Sequence, residues 1–415
     1  MKRFNALLIL SLLTMAFFLF FTSCDINKDP PTPGTNVGDT LWVHEKPVLE
    51  NITWIRDMPM AIGKDGNIYY LADGANNTFE PLRVYAINKD DGSLKWKTDQ
   101  LASSHPGSNI VVGDDGTVYI ISNTILYSIN PNTGSINWEW EVPEIIIFEG
   151  NVVGSYGSAG GLALANNGDL IFKTIGSGSY YRAMYCVSPQ GNTRWYRVIG
   201  AVGTNISIGI TGYIFDYAYW GNNKYLYKIN EYDGSVIWKT PMLYHGAANN
   251  NIVITHNGGV ICSMSDSLGL LNPTTGEYIW KVVAQTNYKV KLIANDGLVS
   301  VYDQWTGRHY YNISDGEKKI IVTPSAADPM VYDNIGNYYR GASPGMVCYN
   351  AYGEELWNFN SEGCKGRSLT ISYDNIIYLV SGEKVFAIQG TNPLGQSGWH
   401  CATHDNRNTF NYLKH

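Results

Sequence analysis

One short phrase is written again and again along this chain: two residues, the first most often small, then Asn, a turn closed by Gly, and a Trp four residues further on. It reads Ala86-Ile87-Asn88 with Gly92 and Trp96, Ser128-Ile129-Asn130 with Gly134 and Trp138, Lys228-Ile229-Asn230 with Gly234 and Trp238, and Leu270-Leu271-Asn272 with Gly276 and Trp280. Cys186 with Gly191 and Trp195, and Cys348 and Asn350 with Gly353 and Trp357, carry the phrase with a shorter turn. In one copy Asn312 and Gly316 are followed by Ile320 where Trp is expected. A fixed phrase recurring at roughly 40 residues means a repeat architecture, in which each unit buries its apolar face only by stacking on the next.

A second signal precedes each phrase: a Gly or Asn turn followed by β-branched and aromatic residues, as in Gly66-Asn67-Ile68-Tyr69, Gly116-Thr117-Val118-Tyr119 and Gly336-Asn337-Tyr338-Tyr339. Short strands divided by such turns read as antiparallel hairpins. Each unit therefore parses into four strands, in the second unit near Asn109–Val112, Val118–Ser122, Leu126–Asn130 and Ser135–Trp140. No sustained helical period follows the N-terminal segment, so the expected class is all-β: a propeller of four-stranded antiparallel blades.

The two ends complete the count. Gly38 and Trp42 show the Gly-to-Trp half of the phrase alone, whereas Ala387-Ile388-Gln389 shows the front half alone. Seven units over residues 45–360, with a composite blade from 361–390 and 38–44, give eight blades, the last completed by the N-terminal strand. Sharing a blade in this way closes the ring without an open edge. Seven blades is the alternative, should the degenerate sixth unit be incomplete. The seven Trp residues, Trp42, Trp96, Trp138, Trp195, Trp238, Trp280 and Trp357, are assigned to structural docking between blades.

The phrase resembles the tryptophan-docking repeat of the quinoprotein-like, or PQQ-like, β-propellers. The run Gly398-Trp399-His400-Cys401-Ala402-Thr403-His404-Asp405 and its continuation to Thr409 are similar to a strap found at the ends of such propellers. WD40 and kelch signatures are absent from the repeat positions. The resemblance raises quinone-dependent alcohol dehydrogenation, which in the related dehydrogenases implies a vicinal Cys-Cys disulfide, calcium ligands and a catalytic Asp. No adjacent Cys pair occurs here, and the long inserts that build that active site are missing. No cofactor is therefore expected.

Lys2 and Arg3 precede an apolar run from Phe4 to Phe21, followed by Thr22-Ser23-Cys24. This reads as a signal peptide over residues 1–23, with Cys24 the lipidation site of a bacterial lipoprotein. Phe21 departs from the Leu usual at its position, and an uncleaved membrane anchor is the competing reading. Residues 24–37, with Pro30, Pro31 and Pro33, read as a tether, residues 38–390 as the propeller and 391–415 as a C-terminal strap. The expected location is outside the cytoplasm, on a bacterial and in particular the outer membrane, held by lipid alone.

A hydrophobic fraction of 44% suffices for an ample core, and a net charge of −7 without basic runs argues against nucleic acid. Of six Cys, Cys186 and Cys348 occupy the small-residue slot and Cys262 a strand, all packing positions. Cys364 and Cys401 lie in the closing region and are within reach of pairing. His400, Cys401, His404 and Asp405 have spacing compatible with metal on a helix, but lie in the strap of a β protein, and no metal site is assigned. The Asp-rich turns Lys89-Asp90-Asp91-Gly92 and Asp114-Asp115-Gly116 read as tight turns rather than calcium loops. No Gly-x-Ser-x-Gly elbow or His-Glu-x-x-His motif is present.

Geometry then points to one face. Lettering the strands of a blade a to d, the a–b and c–d turns emerge at one end and are short. The b–c and d–a connections emerge at the other and vary, at Ala72–Arg83, Val142–Gly161, Thr174–Arg182, Asp216–Lys224 and Pro241–Asn250. Insertions in repeat proteins cluster on the binding face. The candidate face carries Tyr156, Tyr180, Tyr181, Tyr217, Tyr219, Trp220, Tyr244 and His245, rings that offer contact area at little entropic cost. The expected function is a non-catalytic envelope scaffold, a monomer within a complex, docking a protein or peptide. In anchor and repeat the chain resembles the lipid-anchored propeller of the outer-membrane β-barrel assembly machinery. The alternatives are glycan or small-ligand binding and an unrecognised envelope hydrolase.

Overall fold

The computed structural model of the chain describes residues 36–45, 52–55, 58–74, 82–102, 107–154, 158–175, 182–199, 206–220, 223–242, 252–264, 267–283, 288–293, 297–303, 307–322, 330–350, 353–366, 368–395, 404–405 and 407–409. The chain divides into two units, Met1–Val37 and Gly38–His415. All the described strands belong to the second unit, and no helix occurs among the described residues. The apolar N-terminal run and Cys24 lie outside the described residues.

Eight antiparallel blades follow one another along the chain, with a separate two-stranded sheet between the second and third. Blade 1 spans residues 52–97, blade 2 111–141, blade 3 158–199, blade 4 207–242, blade 5 253–283, blade 6 288–322, blade 7 330–360, and blade 8 368–389 together with Thr40–Glu45. In blade 2 the strands are Val111–Val112, Val118–Ser122, Ile125–Ile129 and Ile136–Glu141, within two residues of the sequence reading at every end. First strands of successive blades pack on one another, as Ala61–Ile62 does on Val111–Val112 and Ser207–Ile208 on Val253–Ile254. The second and third strands, sandwiched between blades, are buried nearly throughout, as in Val118–Ser122 and Arg83–Ile87. The outermost strands alternate half-buried and exposed, as in Ile136–Glu141 and Tyr278–Val283, because only one of their faces meets a neighbour.

The ring closes through the shared blade. Thr40–Glu45 pairs antiparallel with Lys384–Gln389, with Val43 opposite Phe386 and Glu45 opposite Lys384. The sixth unit is a complete blade, with strands Tyr288–Ile293, Leu298–Asp303, Gly307–Asn312 and Lys318–Val322. The count is therefore eight rather than seven. Losing the Trp did not cost this blade its last strand because strand pairing depends on the turn, and the turn is intact: Gly316 keeps a left-handed φ of 74° and bonds back to Asn312.

Each part of the phrase has a physical task. The Asn carboxamide accepts a backbone N–H two residues on, from Asp90 to Asn88 at 3.1 Å and from Asn132 to Asn130 at 2.9 Å, forming an Asx turn. The Gly supplies positive φ, and a bulge follows at the start of the outer strand, as between Ile136 and Trp138. The Trp then lies against the Gly of the following blade. A Cβ on Gly134 would stand 2.5 Å from Trp96 Cε3, and one on Gly276 2.7 Å from Trp238 Cδ2. Each indole N–H donates across the same interface: Trp42 to Lys89 O, Trp96 to Pro131 O, Trp138 to Pro189 O, Trp195 to Glu231 O, Trp238 to Pro273 O and Trp280 to Ile313 O, all within 2.7–3.1 Å. Trp357 donates to Thr391 Oγ1 at 3.2 Å and packs near Gly38.

The strap crosses the a–b turn end. Leu394 bridges Asp333 of blade 7 and its N–H donates to Ser372 O of blade 8. Further on, Asn408 Nδ2 donates to Pro59 O and Ile110 O, and Arg407 O and Thr409 O accept from Val112 N and Leu164 N. Five of the eight blades are thus tied by one segment. Asp405 holds the strap's own turn, accepting from Arg407 N and from Thr409 N and Oγ1.

Candidate functional site

Blade 4 differs from its neighbours at the b–c end. Its second and third strands, Tyr213–Trp220 and Asn223–Asn230, have eight residues each, against five for Val118–Ser122 in blade 2 and Val260–Met264 in blade 5. In register with those strands, one extra pair, Tyr213 with Asn230, falls at the other end, and Tyr219 and Trp220 carry the hairpin about 7 Å further at the usual rise per residue. The cause is local: alternating aromatic residues from Tyr213 to Trp220 favour an extended, pleated backbone. The segment expected as a loop from Asp216 to Lys224 is therefore mostly strand, with Tyr219 opposite Lys224 and Trp220 opposite Asn223 as its outermost pairs.

Tyr217 is corrected by the structure. It faces the interior, fully buried, and its hydroxyl donates to Ser263 O of blade 5 at 3.3 Å. Burial raises its pKa. It belongs to a second strand sandwiched between blades, where every residue from Ile214 to Ala218 is buried, a consequence of pairing that a loop assignment hides. Lys224 lies over its ring, Nζ 4.6 Å from the centroid, and burial lowers the pKa of that amine. Cys262 beside them has its thiol pushed up to about 12 by burial. Tyr156, Tyr180, Tyr181, Tyr244 and His245 lie outside the described residues.

Beneath this hairpin Lys173 of blade 3 and Asp216 of blade 4 form an ion pair, Nζ to Oδ1 at 2.5 Å, with both side chains almost fully buried. Burial draws the Lys173 pKa below its ordinary value, opposed by the Asp216 charge. The pair joins two blades in a medium that tolerates neither charge alone. Sequence reading missed it, since Lys173 and Asp216 are each unremarkable in their own strands.

The long connection between blades 2 and 3 is also more ordered than a loop. Ile145–Phe148 and Asn151–Gly154 form a hairpin whose tip, Glu149 and Gly150, has positive φ at both residues. Ile146 is buried, whereas Ile145 and Ile147 are 60% and 61% exposed. Tyr196 of blade 3 steadies the hairpin, its hydroxyl reaching both Ile147 N and O at 3.3 and 3.4 Å. The consecutive Ile145-Ile146-Ile147-Phe148 run before Glu149-Gly150 was the available signal for this element.

The remaining candidates fall as follows. All seven docking Trp residues sit at blade interfaces. Asp65 and Asp115 spend a carboxylate oxygen on the backbone N–H two residues on, Asn67 and Thr117, as turn residues do. His404 and Asp405 are buried in the strap; His400 and Cys401 lie outside the described residues. No group of three His, Cys, Asp or Glu able to hold a metal occurs among the described residues. Cys186, Cys262, Cys348 and Cys364 are buried free thiols.

The eight-bladed ring with its indole docks has relatives among known propellers. A family model described as outer membrane protein assembly factor BamB matches residues 52–240. BamB from Moraxella catarrhalis superposes with a TM-score of 0.58 at 16% identity, over 81% of this chain and 99% of that one. The computationally designed Ika8 protein gives 0.59 at 13% identity, covering 85% and 100%. The Dos1 propeller gives 0.56 at 10% identity, covering 86% and 97%. By sequence the chain is 24% identical over 347 residues to a tetrathionate hydrolase of Acidithiobacillus ferrooxidans. That match takes in 78% of this chain and 62% of the enzyme's length. The chain is similar to BamB in repeat and fold, and the solved structures establish the fold alone.

Proposed function

We propose that this protein is a lipid-anchored scaffold of the bacterial envelope that docks another envelope protein on its b–c/d–a face, in the manner the BamB resemblance suggests. The observation that carries the reading is an asymmetry between the two ends of the propeller. The a–b end is crossed by the strap, while the other end bears the extended hairpin of blade 4 and is fed by the connection holding Ile145 and Ile147. Two large aliphatic side chains left more than half exposed on an ordered hairpin form an apolar contact of the kind partners cover. Anchoring through Cys24 and a Pro-containing tether would give the propeller reach from the membrane surface.

The test is crosslinking with mass spectrometry in native membranes, comparing the wild type with Tyr219→Ala, Trp220→Ala and Ile145→Asp/Ile147→Asp. The reading expects a specific envelope protein to be captured by the wild type and lost in at least the double variant. Equal capture by all four proteins would overturn it. A second reading is supported by the sequence match to tetrathionate hydrolase: the chain acts on a ligand at the envelope. Consumption of tetrathionate by the purified protein would favour that reading over the scaffold.

A further inference from the structure

A second docking contact lies two residues after the Trp in the outer strand. Alternation puts that residue on the same face as the Trp, where it reaches the carbonyl of the next blade's phrase Gly. Thr240 Oγ1 donates to Gly276 O at 2.6 Å, Arg197 Nε donates to Gly234 O, and His44 Nδ1 bonds Gly92 O at 2.7 Å. A threonine hydroxyl does not titrate and a guanidinium stays charged, so of these three only His44 changes charge between pH 5 and 8. It stands in Thr40–Glu45, the strand that the N-terminal part of the chain lends to blade 8 at the seam where the ring closes.

Two bonds fix the protonation state of His44. A carbonyl only accepts, so Nδ1 carries the hydrogen toward Gly92 O. Nε2 is then the bare nitrogen and accepts from the Tyr70 hydroxyl at 2.8 Å. Both residues are buried, Tyr70 is stacked on Tyr85 at 5.1 Å, and the apolar cluster of Trp42, Tyr70, Tyr85 and Val385 lies alongside. A proton added to Nε2 would set two donors against each other, turn the Tyr70 hydrogen away from its acceptor, and place a cation where water does not solvate it.

No carboxylate among the described residues balances that charge. On the strand itself Glu45 is exposed and paired with Lys384 at 2.7 Å. In the facing turn of blade 1 Asp90 and Asp91 are exposed, and Asp91 accepts from the Ser93 hydroxyl and N–H. In the strands of blade 1 the ionisable groups are Tyr70, Tyr85 and, opposite Tyr85, Lys97; in blade 8 Tyr378 packs on Trp42. Of all these only Tyr70 bonds the His44 ring. Burial accordingly draws the His44 pKa below 6.5. With the folded value below the unfolded one, the hold of His44 on the strand is full above pH 6.5 and weakens as pH falls toward the lowered value.

We propose that His44 is a pH-sensitive clasp on ring closure: acidification releases Thr40–Glu45 from the seam between blades 8 and 1 while the other blades keep their outer strands. Release would leave Lys384–Gln389 as an open strand edge, which the closed ring covers.

The experiment is hydrogen exchange read by mass spectrometry on the full chain purified in detergent, from pH 7.5 to 5, with each rate divided by the intrinsic chemical rate at that pH. Peptides over residues 38–45 and 236–242 are compared, the second holding the Thr240 dock. The expected result is an opening equilibrium of 38–45 that rises toward about tenfold per pH unit below pH 6.5, the slope for one proton, while that of 236–242 stays level. His44→Thr, which installs the dock used by blade 4, should flatten the response. An equal pH response in the two strands, no rise in 38–45 down to pH 5, or a rise that survives His44→Thr would each overturn the proposal. Should His44→Thr fail to fold by circular dichroism, the wild-type contrast between the two strands decides.

Discussion

Replacing Gly134 by Ala tests the docking principle at one atom. The added Cβ would lie 2.5 Å from Trp96 Cε3, 2.8 Å from Trp96 Cδ2 and 3.2 Å from Lys97 O. Trp96 has little freedom to retreat, because its indole N–H is held by Pro131 O at 2.7 Å and its ring packs against Tyr69. Two costs follow. The left-handed φ of 75° costs a non-glycine residue about 1–2 kcal/mol, and overpacking a filled interface adds about 1–3 kcal/mol. Gly382 separates them: its φ is 61° but an added Cβ meets nothing within 4 Å. Gly382→Ala should therefore show the backbone cost alone, about 1 kcal/mol once the stiffer unfolded chain is credited, and Gly134→Ala about 1–3 kcal/mol more. Urea unfolding followed by far-UV circular dichroism measures both, on midpoints and slopes together, since a repeat array need not unfold in two states. Trp96→Leu combined with Gly134→Ala should cost less than the sum of the two single changes, because the shortened side chain makes room for the methyl. If Gly134→Ala is no worse than Gly382→Ala, the close Trp–Gly contact is not what joins the blades.

Other consequences are equally open to measurement. Lys173→Met leaves Asp216 buried without its cation and should destabilise by about 3–5 kcal/mol in denaturant unfolding, whereas Lys173→Met/Asp216→Leu should recover most of that loss. His44, in the strand that closes the ring, bonds Gly92 O through Nδ1 at 2.7 Å and Tyr70 Oη through Nε2 at 2.8 Å, and burial lowers its pKa below 6.5. The unfolded chain then binds the more protons below that value, so His44's contribution is intact above pH 6.5 and declines as pH falls toward the lowered pKa. Thermal melts from pH 7.5 to 5 should show this decline, and His44→Gln should remove its share. Asp233, bonded to the Ser235 hydroxyl and N–H, has a pKa held below 3.8; its stabilising share is present above that value and is lost as pH falls through the lowered one, so Asp233→Asn should flatten the acid limb.

The architecture was legible because the phrase encodes local chemistry that repeats. Asn for an Asx turn, Gly for positive φ and Trp for the next blade's Gly are demands of backbone and packing, and each can be read from one residue and its spacing. Even the split phrase at Trp42 and Ala387 was readable, since a ring needs both halves. The binding face was less so. Tyr217 reads as a loop residue in sequence, yet it lies in a second strand packed between two blades, where Ile214 to Ala218 are all buried. Lys173 and Asp216 are 43 positions apart and meet only because successive blades stack. His44 carries no signal of its own, and becomes notable only when ring closure sets it against Gly92 and Tyr70.

Ring closure by the first strand is the claim on which the faces, the strap and the clasp all depend. Glu45 and Lys384 are exposed register partners joined at 2.7 Å, so Glu45→Cys/Lys384→Cys places two thiols across the closing seam. Mild oxidation should give an intramolecular disulfide, identified by peptide mapping, while Thr40→Cys/Lys384→Cys, at opposite ends of the paired strands, should not crosslink. Failure of the first pair to bond in folded protein, or equal bonding of the second, would contradict the eight-bladed ring with its shared blade.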